Sequence, residues 1–199
     1  AAGSRQQAAT EAATSSARAG GGHLTPSDDR PKGMTPEERS LWDLDFSIKK
    51  SIRYHARRRA SFERLDNAAN VIVAIFGASA FAALMGDPAA LASKILTAMV
   101  TAMALADVIL AFGSRARTYA DLYRKFSDLA IEISQIPQPT SLEISRLRAK
   151  RLILEADEPH IIDALERVCW NEEAESRGVS REHLQPLNRW QTLVAHLSS

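Results

Sequence analysis

Apolar and polar positions are spread unevenly along this chain. Residues 67–86 (NAANVIVAIFGASAFAALMG) contain no formal charge, and residues 91–114 (LASKILTAMVTAMALADVILAFGS) carry only Lys94 and Asp107. The hydrocarbon core of a bilayer is roughly 30 Å thick, a distance that about twenty helical residues cover. Backbone amides in lipid must be satisfied internally, so such runs cross as helices or within a closed barrel. Runs of Ala, Leu, Ile and Met of this length predict helices, because a barrel strand would alternate apolar and polar residues. Gly86-Asp87-Pro88 lies between them and has room only for a tight reversal. The expectation is a transmembrane helical hairpin with spans at about 67–86 and 91–113.

The flanking segments follow a helical period instead. Thr35-Pro36-Glu37-Glu38 has a capping hydroxyl, a proline at the first helical position and acids facing the dipole. Leu41, Leu44, Ile48, Ile52, Phe62 and Leu65 form one stripe, and no Gly or Pro interrupts residues 37–76. One helix of about 50 residues, some 75 Å long, is therefore predicted to run straight into the first span. After the second span, Tyr119, Leu122, Phe126, Leu129 and Ile133 recur in a heptad-like pattern suited to pairing with that stripe, and Pro137 and Pro139 end it.

Thr140-Ser141-Leu142-Glu143 opens a further helix reaching Glu158. Another is predicted over about 159–177, burying Ile161, Ile162, Leu165, Val168 and Cys169, with Gly178 as its stop. A last short one, about 187–197, presents Trp190 and Leu193. All three are too short to be stable alone, so they should pack on the stalk or on a neighbouring subunit. The fold class is thus all-α. A disordered leader (1–34) precedes the hairpin with its stalk (35–136), and a helical tail (140–199) follows.

Charge adds a direction to this layout. The net charge is only +1, yet residues 47–64 hold Lys49, Lys50, Arg53, Arg57, Arg58, Arg59 and Arg64 against the single acid Glu63. Arg115, Arg117, Arg124 and Lys125 follow the second run. By the positive-inside rule both flanks are cytoplasmic, with Arg57, Arg58, Arg59, Arg115 and Arg117 as basic anchors at the inner face of the bilayer. Nucleic acid is not expected as a partner, since no aromatic interleaving or recognised module accompanies these charges. The single cysteine, Cys169, reads as a small buried hydrophobe.

Within the hairpin, Asp107 and Asn70 are the intramembrane polar candidates. A carboxylate near mid-helix costs roughly 2.5–3.5 kcal/mol on insertion scales. Two readings stand side by side: Asp107 bonds to Asn70 or reaches Arg115 through water, or Asp107 is functional, as part of a polar ring lining a pore or as a proton-titrating switch. Ala74, Ala78 and Ala82, with Ala98, Ala102 and Ala106, form small-residue stripes that allow close helix approach within a hairpin or between subunits. No histidine has a metal-ligand spacing, and there is no phosphate-cradling glycine loop, nucleophile elbow or paired-carboxylate context. No enzyme, cofactor or metal is expected.

Tyr54-His55 followed by Arg58 and Phe62, then two apolar spans and a mirrored stretch containing Arg117-Thr118-Tyr119, resembles the SLATT superfamily over residues 40–134. Its members are bacterial two-span proteins proposed as membrane effectors in nucleotide-signalled conflict systems. The resemblance implies an inner-membrane, pore-forming or membrane-perturbing module, homo-oligomeric, whose cytoplasmic stalk receives a signal. This chain carries no fused nucleotide synthetase or sensing domain, and its tail after Thr140 lies beyond the resemblance. A cytoplasmic protein or a nucleotide-signal partner would then supply the trigger. The alternative is a membrane-anchored scaffold that docks a partner through the 140–199 helices. A third reading keeps the apolar hairpin within a water-soluble helical bundle.

Overall fold

The computed structural model describes residues 30–86 and 91–197, with side chains except those at 80–86, 92, 93, 96, 103, 105–110, 194, 196 and 197. The expected leader falls mostly outside these residues. Among the described residues there are six α-helices and no strand: α1 (Pro36–Gly86), α2 (Leu91–Leu110), α3 (Phe112–Ser134), α4 (Ser141–Ala156), α5 (Asp163–Ser176) and α6 (Arg189–Leu197). A single 3-10 turn, Arg181–His183, separates α5 from α6.

The helix starts follow their local chemistry. Thr35 Oγ1 accepts the Glu38 N–H at 3.2 Å while the Thr35 N–H donates to Glu38 Oε2 at 2.7 Å, so α1 opens on a reciprocal cap. Thr140 and Glu143 repeat the device at α4. There the Thr140 hydroxyl and N–H together hold the Glu143 carboxyl below its ordinary value.

α1 is the axis of the molecule. Along its lower half it meets α3, α4 and α5; along its upper half it pairs with α2. α3 runs antiparallel to α1, so Leu44 and Ile48 pack with Leu122, Phe126, Leu129 and Ile133, and Leu147 of α4 closes this foot of the core. Higher up, Tyr54, Phe62, Ala116 and Tyr119 pack with Leu165 and Cys169 of α5 and Ala195 of α6. Phe46 faces the other way, against Trp170, Ala174 and Val179. Burial of Leu44, Phe46, Ser47 and Ile48 in succession shows that α1 is covered on two sides, where one stripe was expected.

The expected second span, 91–113, is not one helix. α2 stops at Leu110, Ala111 adopts the left-handed conformation (φ 48°, ψ 47°), and α3 restarts at Phe112. The break lets Phe112 lie against Phe62, with ring centroids 6.5 Å apart. One residue further, Gly113 sits so near Asp66 that a Cβ would come within 3.0 Å of its Oδ1. Among the described residues no helix is long and apolar enough to cross a membrane. The hairpin is present as two adjacent helices, and the reversal at 87–90 and the side chains at 80–86 and 105–110 lie outside the described residues.

Candidate functional site

Two constellations join α1 to the segments that follow α4. The first is aromatic and surrounds His55, whose side chain is 1% exposed. The His55 ring stacks on Phe126 (5.2 Å between centroids), tilts against Tyr119 (5.9 Å) and meets Tyr54 edge-on (5.5 Å). Its Nε2 lies 2.9 Å from Oε1 of Glu158, in the linker between α4 and α5, while Nδ1 is buried without a hydrogen-bond partner. The neighbouring Tyr54 hydroxyl accepts the Ile162 N–H at 3.1 Å, so consecutive residues of α1 hold both ends of the 158–162 linker. The Arg58 guanidinium lies over Phe62 (4.6 Å) and Tyr119 (5.2 Å). A cation over ring faces contributes about 0.5–2 kcal/mol, depending on its desolvation.

Burial pushes the Tyr54 hydroxyl up to about 12, against the opposing pull of the Ile162 N–H. Burial also pushes the Cys169 thiol up to about 12, with smaller opposing influences from Arg57, Arg53 and Lys50. Both groups stay protonated at neutral pH, and a protonated thiol is a poor nucleophile.

The second constellation is ionic. Glu173 of α5, only 3% exposed, receives Arg53 Nε at 2.9 Å and Arg177 Nε at 2.8 Å. Arg177 also reaches Asp45 at 2.6 Å and lies over the rings of Trp42 (4.7 Å) and Phe46 (5.3 Å). Lys50 pairs with Glu166 at 2.6 Å, and Arg57 pairs with Glu172. Three cations spaced three and four residues apart on α1 thus face three carboxylates of α5. A buried carboxylate between two guanidiniums is stable only because its lost hydration is replaced on both sides.

The residues singled out from sequence separate into three groups. Tyr54, His55, Arg58 and Phe62 converge on one site with Tyr119. Of the expected basic anchors, Arg57 and Arg58 are engaged inside the molecule, and Arg59 pairs with Glu63 on its own helix at 2.7 Å. Arg115 is exposed and 5.8 Å from the Phe62 ring, and Arg117 is exposed on a groove shared with Arg124 and Lys125. Asn70 is exposed; the Asp107 side chain, and with it the expected Asn70–Asp107 contact, lies outside the described residues.

Sequence reasoning missed Glu158, Glu173 and Arg177. A signal was available: Glu166, Glu172 and Glu173 give α5 an acidic face, and α1 is basic at matching spacing. Among the described residues no group of His, Cys, Asp and Glu could hold a metal ion. Comparison with family models, with curated proteins and with solved structures finds no match for this chain.

Proposed function

We propose that the chain is a homo-oligomeric membrane protein whose α1–α2 hairpin enters the bilayer and lines or opens a pore, held by a headpiece of α1, α3, α4, α5 and α6. The observation that carries this reading is the exposure of large apolar side chains along the hairpin. Val71 (57%), Ile75 (59%), Leu91 (73%), Ile95 (51%) and Met99 (49%) face outward with nothing over them. Large apolar side chains exposed at this density call for lipid or protein cover. Ala74, Ala78, Ala98 and Ala102 are exposed too, so these small residues are free to contact neighbouring subunits.

On this reading both termini are cytoplasmic, at the inner membrane of a bacterium, and Arg115 and Arg117 meet the headgroups. Asp107 and Asn70 are the polar elements of the pore. The SLATT resemblance supports the same assignment through Tyr54, His55, Arg58 and Phe62, which gather at the root of the headpiece.

A second reading has its own observation. Leu142 (79%), Leu152 (64%) and Ile153 (65%) are exposed on α4, far from the hairpin, as a surface for a docked partner on an anchored scaffold would be. Purified protein in liposomes separates the two. A pore gives ion flux that Asp107→Asn reduces, whereas an anchor gives none. Protease protection of a tag at position 88 in sealed vesicles tests insertion itself. Cleavage of that tag together with both termini, or release by carbonate without detergent, overturns both membrane readings and leaves a water-soluble bundle.

A further inference from the structure

The contact between α1 and α5 has the anatomy of a recognition interface, with an apolar centre and a charged rim. Phe46 and Tyr54 of α1 meet Trp170, Ala174, Leu165 and Cys169 at the centre. Lys50–Glu166, Arg53–Glu173 and Arg57–Glu172 form the rim. We propose that this face of α1 is a receptor groove for α5, occupied in cis within one chain and in trans by α5 of a second copy, so that copies associate by exchanging the helix.

Three observations support exchange. First, two carboxylates of this contact have a second partner four residues away in the chain. If α5 leaves, Glu173 keeps Arg177, the residue that caps the C-terminal end of α5, at 2.8 Å. Asp45 keeps Lys49 at 2.9 Å on α1. Departure therefore strands neither carboxylate, which removes the usual large penalty for parting a buried ion pair. Four side chains of the rim reach water, Arg53, Arg57, Glu166 and Glu172 being 39%, 33%, 36% and 33% exposed, while Lys50 and Glu173 are covered.

Second, α5 and α4 rest on different surfaces. α4 packs on α3 and the foot of α1; α5 packs on α1, on α6 and, higher up, against Ala116 and Tyr119 of α3. The foot core, from Leu44 to Leu147, contains no residue of α5, so α5 and α6 can move together while it stays intact. Third, α5 lies between two irregular joints, the first of which must release His55–Glu158 and Tyr54–Ile162 for the helix to exchange. Residues 157–162 include Pro159, and Ile162 caps α5 without a side-chain hydrogen bond; on the other side Gly178 has φ +78°.

Every copy carries both groove and helix, which makes the contact self-complementary, as closed homo-oligomers require. The proposal takes one element from the membrane reading: copies confined to one plane meet at a raised effective concentration.

The test uses the full-length chain, co-expressed with two different affinity tags and purified through both in detergent. Lys50 Nζ and Glu166 Oε1 are close enough for a zero-length carbodiimide cross-link. The expected result is a covalent dimer carrying both tags, with the Lys50–Glu166 linkage identified by mass spectrometry and the dimer lost in Glu166→Gln. Finding that linkage only within single chains overturns the proposal, as does failure to recover any doubly tagged species. The readout is made in detergent, so it stands or falls separately from protease protection of position 88.

Discussion

Glu173 shows how much a single carboxylate is asked to do in this headpiece. It joins Arg53 of α1 to Arg177 beyond the end of α5, and Arg177 passes the contact on to Asp45. Glu173→Gln keeps the shape and removes the charge, leaving Arg53 without its carboxylate and Arg177 with Asp45 alone. The expected cost is roughly 3 kcal/mol, read as a lowered denaturant midpoint at unchanged slope. Ala111 is strained in the opposite sense, because a Cβ at φ 48° crowds the carbonyl. Ala111→Gly should stabilise the chain by about 1 kcal/mol, seen as a raised Tm. Tyr54 and Cys169 set the alkaline limit. Unfolding returns them to their ordinary values of 10.0 and 9.0, whereas each sits at about 12 in the folded chain. The unfolded chain therefore loses these protons first. Their contribution to stability is complete below pH 9 and is lost as the pH rises toward 12. Tm should fall over that window, and Cys169→Ala should abolish the earliest part of the fall.

Helices were the legible level of this sequence, and helix partners were not. The capping boxes at Thr35 and Thr140, the uninterrupted run from residue 37, and the stop at Gly178 all rest on local rules, and the structure places helix ends near each. The heptad-like series from Tyr119 to Ile133 named the face of α3 that is buried. α1 was harder to read, because a helix covered on two sides buries residues that a single stripe counts as outward. Phe46 and Ser47 were lost that way. The basic residues of α1 were given to lipid because their acidic complement lies more than 100 positions away, beyond the reach of a local pattern. The second apolar run hid its break at Ala111, since alanine carries no signal for a left-handed residue. Packing of α5 offers a direct check at this scale. Leu165 is fully buried in the cluster that also holds Cys169. Leu165→Ala should cost about 2–5 kcal/mol and raise the rate at which a maleimide labels the Cys169 thiol.

At the scale of the molecule, the buried clusters lie in the headpiece, and most described side chains of the hairpin are exposed or half-buried. Buried cores and ion pairs account for the lower half of α1, while its upper half turns large aliphatic side chains outward. The two helices of the hairpin are also mechanically unequal. α1 passes from foot to tip as an unbroken rod, but its companion is jointed at Ala111, just where Gly113 crosses Asp66. A displacement of the base of α1 is thus carried to its far end by one continuous helix, whereas α2 and α3 meet at an angle set by the single residue Ala111. Gly113→Leu would drive a side chain into Asp66 beside this break and force the two limbs apart there.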